Sequence, residues 1–317
     1  MKVLVYGGGA VGLGIASCLL KSGCRVDILA RPNTISSLRS HGLVRTGIFG
    51  EYHAPASSFG CYQSLDGVRK NTYDYVLVCT KSFDSLAAAR DLSGHNSVFD
   101  DETKIVLFQN GWGNADAFLP FFAKERVYNA RVITGFHRPA NHKVQITVHA
   151  DAIHIGSLFH SDVPPLEDLC EAVTKGDIPC KVTAEIAKDL WAKMLYNCAL
   201  NPLGAILDVP YGALAESAFT RSIMDSITEE VFDVMTAAGY QTHYKSAAEF
   251  LRLFYDKLVP DTAEHKSSTL RDIIAQKKTE IDALNGAVIK LAQKHGLHVP
   301  HNLGMYNIIK FIEARHC

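Results

Sequence analysis

Six residues near the start of the chain, Gly7-Gly8-Gly9-Ala10-Val11-Gly12, restrict its fold more than any other segment. They follow Lys2-Val3-Leu4-Val5-Tyr6, a short apolar run that reads as a buried strand. They precede Leu13 to Ser22, which reads as a helix stopped by Gly23. Gly7, Gly9 and Gly12 thus form G-x-G-x-x-G between a strand and a helix. In such a loop the first glycine makes the tight turn and the second lets backbone approach a pyrophosphate. The third lets helix and strand pack closely, while the helix amino terminus offers amides and positive potential to the anion. Gly7, Gly8, Gly9, Ala10, Val11 and Gly12 are therefore candidate dinucleotide-binding residues.

The segments that follow continue the pattern. Arg25 to Ala30 is predicted as a second strand, and Tyr73 to Cys79 and Lys104 to Phe108 as further buried strands. Ser82 to Leu92 has helical character between them. Strands alternating with helices imply a largely parallel, doubly wound α/β sheet of the Rossmann type, with helices on both faces. From Val144 to Ile155 apolar and polar residues alternate, which predicts antiparallel strands closing this first domain. After Val182 strand signals vanish. Helical patterns run from Ala184 to about Leu207, over residues 215–238 and 244–256, and from about Ser267 to Lys294. The expected organisation is a dinucleotide-binding domain over 1–182 and an all-helical domain over 183–317, which is reasonable for 317 residues.

The end of the second strand addresses which dinucleotide. Enzymes of this fold that use NAD place an acidic residue there to hold the ribose hydroxyls, whereas a guanidinium suits the 2′-phosphate of NADP. Here Arg31 stands at that end, and Asp27 falls four residues earlier, inside the strand. NADPH is the expected cofactor.

Chemistry is expected from the segment Leu190 to Leu203. Its clearly polar residues, Lys193, Asn197 and Asn201, are spaced four apart. Each step of four advances a helix by roughly 40° beyond a full turn, so the three make one narrow polar stripe. The residues around it are apolar or aromatic. Polar groups in such a helix must find partners, since unpaired burial costs about 2–7 kcal/mol. A substrate would satisfy them. A second polar cluster, Ser267-Ser268-Thr269-Leu270-Arg271-Asp272 and Thr279-Glu280-Ile281-Asp282-Ala283-Leu284-Asn285-Gly286, reads on its own as the wet face of a helix.

Five motifs together give these clusters a context: the glycine loop, Cys79-Thr80-Lys81, Gln109-Asn110-Gly111-Trp112-Gly113, the Lys193/Asn197/Asn201-Pro202 helix, and S-S-x-L-x-D followed by T-E-I-D-x-L-N-G. In this order they resemble the ketopantoate reductases over essentially the full chain. The resemblance implies a Rossmann domain followed by a helical domain, with the active site in the cleft between them. It implies that Lys193 is the catalytic lysine that protonates the substrate ketone, and that Glu280 contacts the cofactor and orients that lysine. Asn197 and Asn201 match substrate-binding asparagines and Ser268 the serine that holds the substrate carboxylate. Asn110 matches the asparagine beside the nicotinamide and the substrate, and Arg31 and Lys81 the basic pair near the adenosine phosphate and ribose. Two positions depart from the family pattern: His265 stands where asparagine is frequent, and Tyr211 stands at a position that can carry a polar substrate contact.

The reaction so implied is NADPH-dependent reduction of 2-dehydropantoate to pantoate, a step in pantothenate and coenzyme A synthesis. His265 and Tyr211 motivate an alternative, a paralogous reductase of another small 2-oxo acid. A non-catalytic NADP-binding regulator is a third reading, against which Lys193 and Glu280 together argue. The remaining composition fits a small-molecule enzyme. The formal net charge is −1, from 32 basic and 33 acidic side chains, so neither nucleic acid nor an anionic membrane is an expected partner. A homodimer is compatible with the family. Eight cysteines without a C-x-x-C pair suggest reduced thiols and a cytoplasmic setting, and the histidines show no metal-ligand spacing. Five glycines between residues 7 and 14 break the apolar run that a secretory signal would need.

Overall fold

The computed structural model describes residues 1–68, 73–95, 98–160 and 166–315; Cys317 lies outside them. The chain divides into two compact units, one of residues 1–109 and 114–186, the other of residues 110–113 and 187–317.

The first unit begins with β1 (Lys2–Tyr6), α1 (Ala10–Lys21), β2 (Arg25–Leu29), α2 (Pro32–His41), β3 (Leu43–Gly47), β4 (Tyr52–Ala54) and β5 (Gly60–Tyr62). It continues with β6 (Tyr75–Val78), α3 (Ser85–Gly94), β7 (Lys104–Leu107) and β8 (Val127–Arg131). It closes with β9 (Thr134–Ala140), β10 (Lys143–His149), β11 (Ile153–Gly156), α4 (Glu167–Lys175) and β12 (Cys180–Val182). The main sheet has the order β12-β11-β8-β7-β6-β1-β2-β5 and is parallel from β8 to β5, with β11 antiparallel to β8. Strand order reverses on either side of β1, which makes the loops after β1 and β6 the switch point of a doubly wound sheet. Both faces are covered, as alternation along β1 shows. Val3 and Val5 join a core with Leu13, Ile15 and Leu19 of α1, while Leu4 joins Val78, Ala89 and Leu92 on the opposite face.

The alternating segment from Val144 to Ile155 behaves differently from expectation. β10 pairs antiparallel with β9 but parallel with β3, in a separate four-stranded sheet of order β4-β3-β10-β9. This small sheet packs its apolar residues, Val144 and Ile146 among them, into the core shared with α1. Phe136 of β9 lies where a Cβ on Gly14 would be, so the helix can be approached this closely only at glycine. One charged side chain is buried completely in this layer. Arg45 of β3 donates to the Gly176 carbonyl at 2.6 Å and pairs with Asp177, which also receives Lys21 at 2.7 Å.

The second unit is helical apart from its four-residue loop. Its helices are α5 (Ile186–Leu207, whose first residue is counted with the first unit), α6 (Tyr211–Glu216), α7 (Ala218–Ala237), α8 (Ala247–Leu253), α9 (Ser268–Ile274), α10 (Asn285–Lys294) and α11 (Pro300–Ala314). α5 is apolar nearly all round, the signature of a helix enclosed by others. Trp191, Leu195, Cys198 and Leu200 are fully buried among Ile227 and Val231 of α7, Phe250 of α8 and Val288 of α10. Pro202 lies inside α5 and has no N–H to give the Cys198 carbonyl one turn back. Asn285 supplies the missing donor, with its Nδ2 at 3.2 Å from that carbonyl and 2.9 Å from Asn302 Oδ1.

The single helix expected from about Ser267 to Lys294 is two helices. Gln276 takes a left-handed conformation (φ 52°), and Thr279 follows with both its amide and hydroxyl donating to Glu313 of α11, at 2.7 and 2.6 Å. These tertiary bonds replace the helical ones that a continuous helix would have made, and they hold the segment that carries Glu280.

Candidate active site

The first unit supplies a dinucleotide cradle. Gly7 has φ +120°, and a Cβ there would fall 2.8 Å from the Thr80 amide nitrogen. A Cβ on Gly12 would collide with the Gly7 carbonyl oxygen, so α1 can start against β1 only with glycine at that place. Gly9 differs. Its Cβ would have the Cys79 carbonyl at 3.9 Å as its sole neighbour, so the hydrogen atom faces open space. Gly9 is also the N-cap of α1, with no side chain capping the helix and no acidic residue in its first turn. Open space over uncapped amides of a three-turn helix fits a pyrophosphate. Lys81 follows β6 and opens the turn before α3, on the other side of the switch point.

Arg31 is the N-cap of α2, exposed, at the carboxyl end of β2. Asp27 is engaged elsewhere. It accepts from Tyr73 Oη at 2.6 Å, and Lys2 Nζ lies 3.8 Å away, at the opposite end of the strand from the glycine loop. A residue that sequence reasoning missed joins Arg31. Arg138 of β9 reaches the glycine loop, and its Nη1 donates to the Gly8 carbonyl at 2.6 Å. No motif could have indicated this, because the contact spans 130 residues and depends on how the small sheet packs.

The second unit supplies a charged and polar chain. Lys193 Nζ donates to Asn110 Oδ1 at 2.6 Å, and Asn110 Nδ2 donates to Glu280 Oε2 at 3.3 Å. One amide therefore bridges the ammonium and the carboxylate. The loop that carries Asn110 is fastened to this unit by its neighbours. Gly111 (φ +91°) presses against the Ala283 carbonyl, and the Trp112 amide donates to that oxygen at 2.9 Å. The Trp112 ring packs on Trp191 and Tyr240 with centroids 4.7 Å away in each case.

Asn197 and Asn201 continue the face of α5 that bears Lys193, and both are buried. Asn197 makes no side-chain hydrogen bond among the described residues, yet its amide is not among the sealed polar atoms left without a partner, so it reaches accessible space as a ligand-binding group must. Asn201 Oδ1 accepts from Tyr211 Oη at 2.6 Å, which fixes the amide and turns its Nδ2 the other way. Tyr211 is buried against His265, with ring centroids 5.3 Å apart. Burial, and then the Arg271 charge, hold the His265 imidazole below its usual range, so it is neutral at pH 7. Of the two serines, Ser268 is exposed at the first position of α9. Ser267 is buried, caps α9 through the Leu270 amide at 3.0 Å and donates to the Asn201 carbonyl at 3.1 Å. Ser267 thus locks α9 to α5, and the adjacent hydroxyl is the one presented outward.

A doubly wound sheet with an uncapped glycine loop, and a helical unit with a lysine tied to a carboxylate through an amide, define an oxidoreductase of the Rossmann type. Sequence comparison narrows the class. Residues 3–159 match the family described as ketopantoate reductase PanE/ApbA, and residues 185–313 match its C-terminal counterpart, ketopantoate reductase PanE/ApbA C terminal. The chain belongs to the ketopantoate reductase family, whose members are nicotinamide-dependent reductases. It is 33% identical to a 2-dehydropantoate 2-reductase of Aquifex aeolicus over 311 residues, covering 98% of this chain and 96% of the relative. It is 30% identical to the enzyme of that name from Shigella flexneri, covering 100% and 96%. Among solved structures, a PanE/ApbA family ketopantoate reductase from Ralstonia eutropha superposes with a TM-score of 0.86 at 25% identity, covering 100% and 99%. A D-mandelate dehydrogenase solved with NADH and anilino(oxo)acetate has the same fold, with a TM-score of 0.88 at 20% identity and coverage of 100% and 99%. No helix among the described residues is long and apolar enough to cross a membrane.

Proposed function

We propose that the chain reduces 2-dehydropantoate to pantoate with NADPH, within the cytoplasmic route to pantothenate and coenzyme A. The observation that carries this reading is the hydrogen-bonded series Lys193–Asn110–Glu280 at the head of the asparagine stripe. Reduction of a 2-oxo acid needs a hydride at the ketone carbon and a proton at its oxygen; NADPH, when bound, supplies the first.

The protein's residues supply the rest. The Lys193 ammonium is aimed by Asn110, polarises the carbonyl and delivers the proton as negative charge develops on oxygen. Glu280, one amide away, steadies Asn110 and through it the aim of the lysine. Asn197 and the Nδ2 of Asn201, on successive turns of α5, are donors for the polar groups of the acid, and the exposed Ser268 hydroxyl is a donor for its carboxylate. Gly7 to Gly12 hold the pyrophosphate, and Arg31 and Lys81 receive the adenosine 2′-phosphate and ribose. The cradle fits the group, since Gly9 leaves the amides of α1 open.

The reading is tested by following NADPH oxidation with 2-dehydropantoate, with NADH in parallel. Turnover with NADPH and little with NADH is expected; absence of turnover on 2-dehydropantoate overturns the substrate assignment. One observation favours a second substrate. The Tyr211–His265 pair gives Asn201 an aromatic, neutral neighbourhood, which suits a 2-oxo acid with a less polar distal end. A panel of branched and aromatic 2-oxo acids compared by kcat/KM separates the two.

A further inference from the structure

We infer that Arg138 is a specificity-determining residue for the dinucleotide, the second guanidinium of a two-arginine site for the 2′-phosphate. The inference rests on the NADPH reading above and adds a residue from the other sheet of the unit.

Arg138 is half-buried, and among the described residues its three hydrogen bonds all go to neutral acceptors. Nη1 donates to the Gly8 carbonyl at 2.6 Å and to Thr34 Oγ1 at 3.4 Å, and Nη2 donates to Asn141 Oδ1 at 2.6 Å. Gly8 belongs to the glycine loop, and Thr34 lies in the first turn of α2, three residues after Arg31. The two segments touch here, since a Cβ on Gly8 would meet Ala30 Cβ and, at 3.0 Å, Thr34 Cγ2. The guanidinium therefore stands where the loop after β1 meets the turn after β2. In this fold that is the ribose end of the adenosine, whereas the pyrophosphate belongs at Gly9 and the amides of α1.

Arg138 also stands within electrostatic reach of a second cation. Burial, followed by the charge of Arg31, makes its own charged form less favourable. Neither arginine forms an ion pair with a carboxylate among the described residues, and the first turn of α2 contains no acid. Two like charges within electrostatic reach and without a counter-charge repel, and an anion between them relieves the repulsion. A solvated surface residue would account for Arg31 alone. It does not account for a half-buried guanidinium whose bonds anchor it to the glycine loop beside another arginine. A dianionic phosphate ester matches the pair, because each guanidinium presents a planar fork to its oxygens. Asn141, in the turn between β9 and β10, holds the fork in place.

The test is calorimetric and needs no turnover. Dissociation constants for NADPH, NADH and 2′,5′-ADP are measured on the wild type, Arg138→Met, Arg138→Lys and Arg31→Met. Loss of one charge-assisted contact to phosphate predicts NADPH and 2′,5′-ADP binding weakened on the order of 10- to 100-fold in Arg138→Met, with NADH changed less than about twofold. Arg138→Lys keeps the charge and loses the fork, so an intermediate loss confined to the 2′-phosphate ligands is expected. It also serves as the reading if the methionine variant does not fold. Equal losses for NADPH and NADH would show that Arg138 merely ties the small sheet to the loop, and would overturn the inference. Wild-type NADPH preference that disappears in Arg31→Met but survives both Arg138 substitutions overturns it as well, leaving the NADPH reading intact. A wild type that binds NADPH and NADH alike overturns both.

Discussion

Asn110 is the side chain on which the proposed chemistry turns, because its two ends point to opposite charges. Its oxygen accepts from Lys193 and its nitrogen donates to Glu280. Lys193→Ala is expected to lower kcat by 10²- to 10⁴-fold, the usual contribution of a positioned acid. NADPH should raise the melting temperature of this variant and of the wild type alike. A variant that retained full turnover would remove the lysine from the mechanism. Tyr211→Phe deletes the bond that aims Asn201. An increase in KM for the 2-oxo acid of roughly 5- to 10-fold is expected, matching the loss of about 1 kcal/mol, with the NADPH dissociation constant unchanged. Steady-state kinetics beside a binding titration checks it. At this scale the sequence was informative unevenly. Lys193, Asn197 and Asn201 stood out because a spacing of four among apolar neighbours is visible without coordinates. Glu280 entered only by resemblance, since a charge in a polar run carries no geometric signal. Ser267 and Ser268 are adjacent, and only the backbone decides which is buried.

Elements succeeded or failed in the sequence according to how local their cause is. The strand–loop–helix at the amino terminus and α5 are written in nearest neighbours. The break at residues 275–280 is not, because Leu270, Ile281, Leu284 and Val288 preserve a helical period across it while Glu313, in another helix, enforces the interruption. β3 escaped for a similar reason, since it pairs with β10 about a hundred residues away. β9 pairs with its neighbour β10 across a two-residue turn, but Gly135, His137, Arg138 and Pro139 give it no apolar alternation to read. Two expectations follow. Asn285→Ala removes the donor that compensates for Pro202, leaving the Cys198 carbonyl buried and unbonded. A loss of about 1–3 kcal/mol in urea unfolding is expected, and Pro202→Ala in the same background should restore part of it. The second concerns Asp177, which joins the end of α4 to β3 and α1. Burial alone would raise its carboxyl, but the Lys21 hydrogen bond and the Arg45 charge outweigh it and hold the group below the ordinary aspartate value of 3.8. The unfolded chain therefore takes up the proton first as pH falls. The stabilisation is present above 3.8 and is lost as pH drops below it towards the folded value. Asp177→Asn, which tolerates the positive φ of 87°, should unfold at lower urea at pH 7. It should also show a shallower decline in midpoint between pH 5 and pH 3 than the wild type.

Over the whole molecule, ligand binding and stability are one measurement. A dinucleotide that binds only the folded chain raises its stability by RT ln(1 + [L]/Kd), about 2.7 kcal/mol at a hundredfold excess over Kd. At equal concentrations NADPH should therefore raise the melting temperature well above the value reached with NADH. Equal shifts would argue against a 2′-phosphate site. The seven described cysteines are free, and burial pushes the Cys79 and Cys198 thiols up from their usual range, so these two should resist alkylation until the fold opens.

The loop of residues 110–113 has a consequence for how such a protein can be recombined. The chain leaves the first unit after Gln109, spends four residues as part of the second, and returns at Asn114. A gene spliced at residue 187 would therefore separate the helical module from one of its own pieces. The donor segment would arrive with Trp191 and Tyr240 stripped of the indole that covers them, and with Lys193 parted from its amide. A working chimaera needs three junctions, two of them bracketing Asn110-Gly111-Trp112-Gly113, so the units are inherited together although each has its own core.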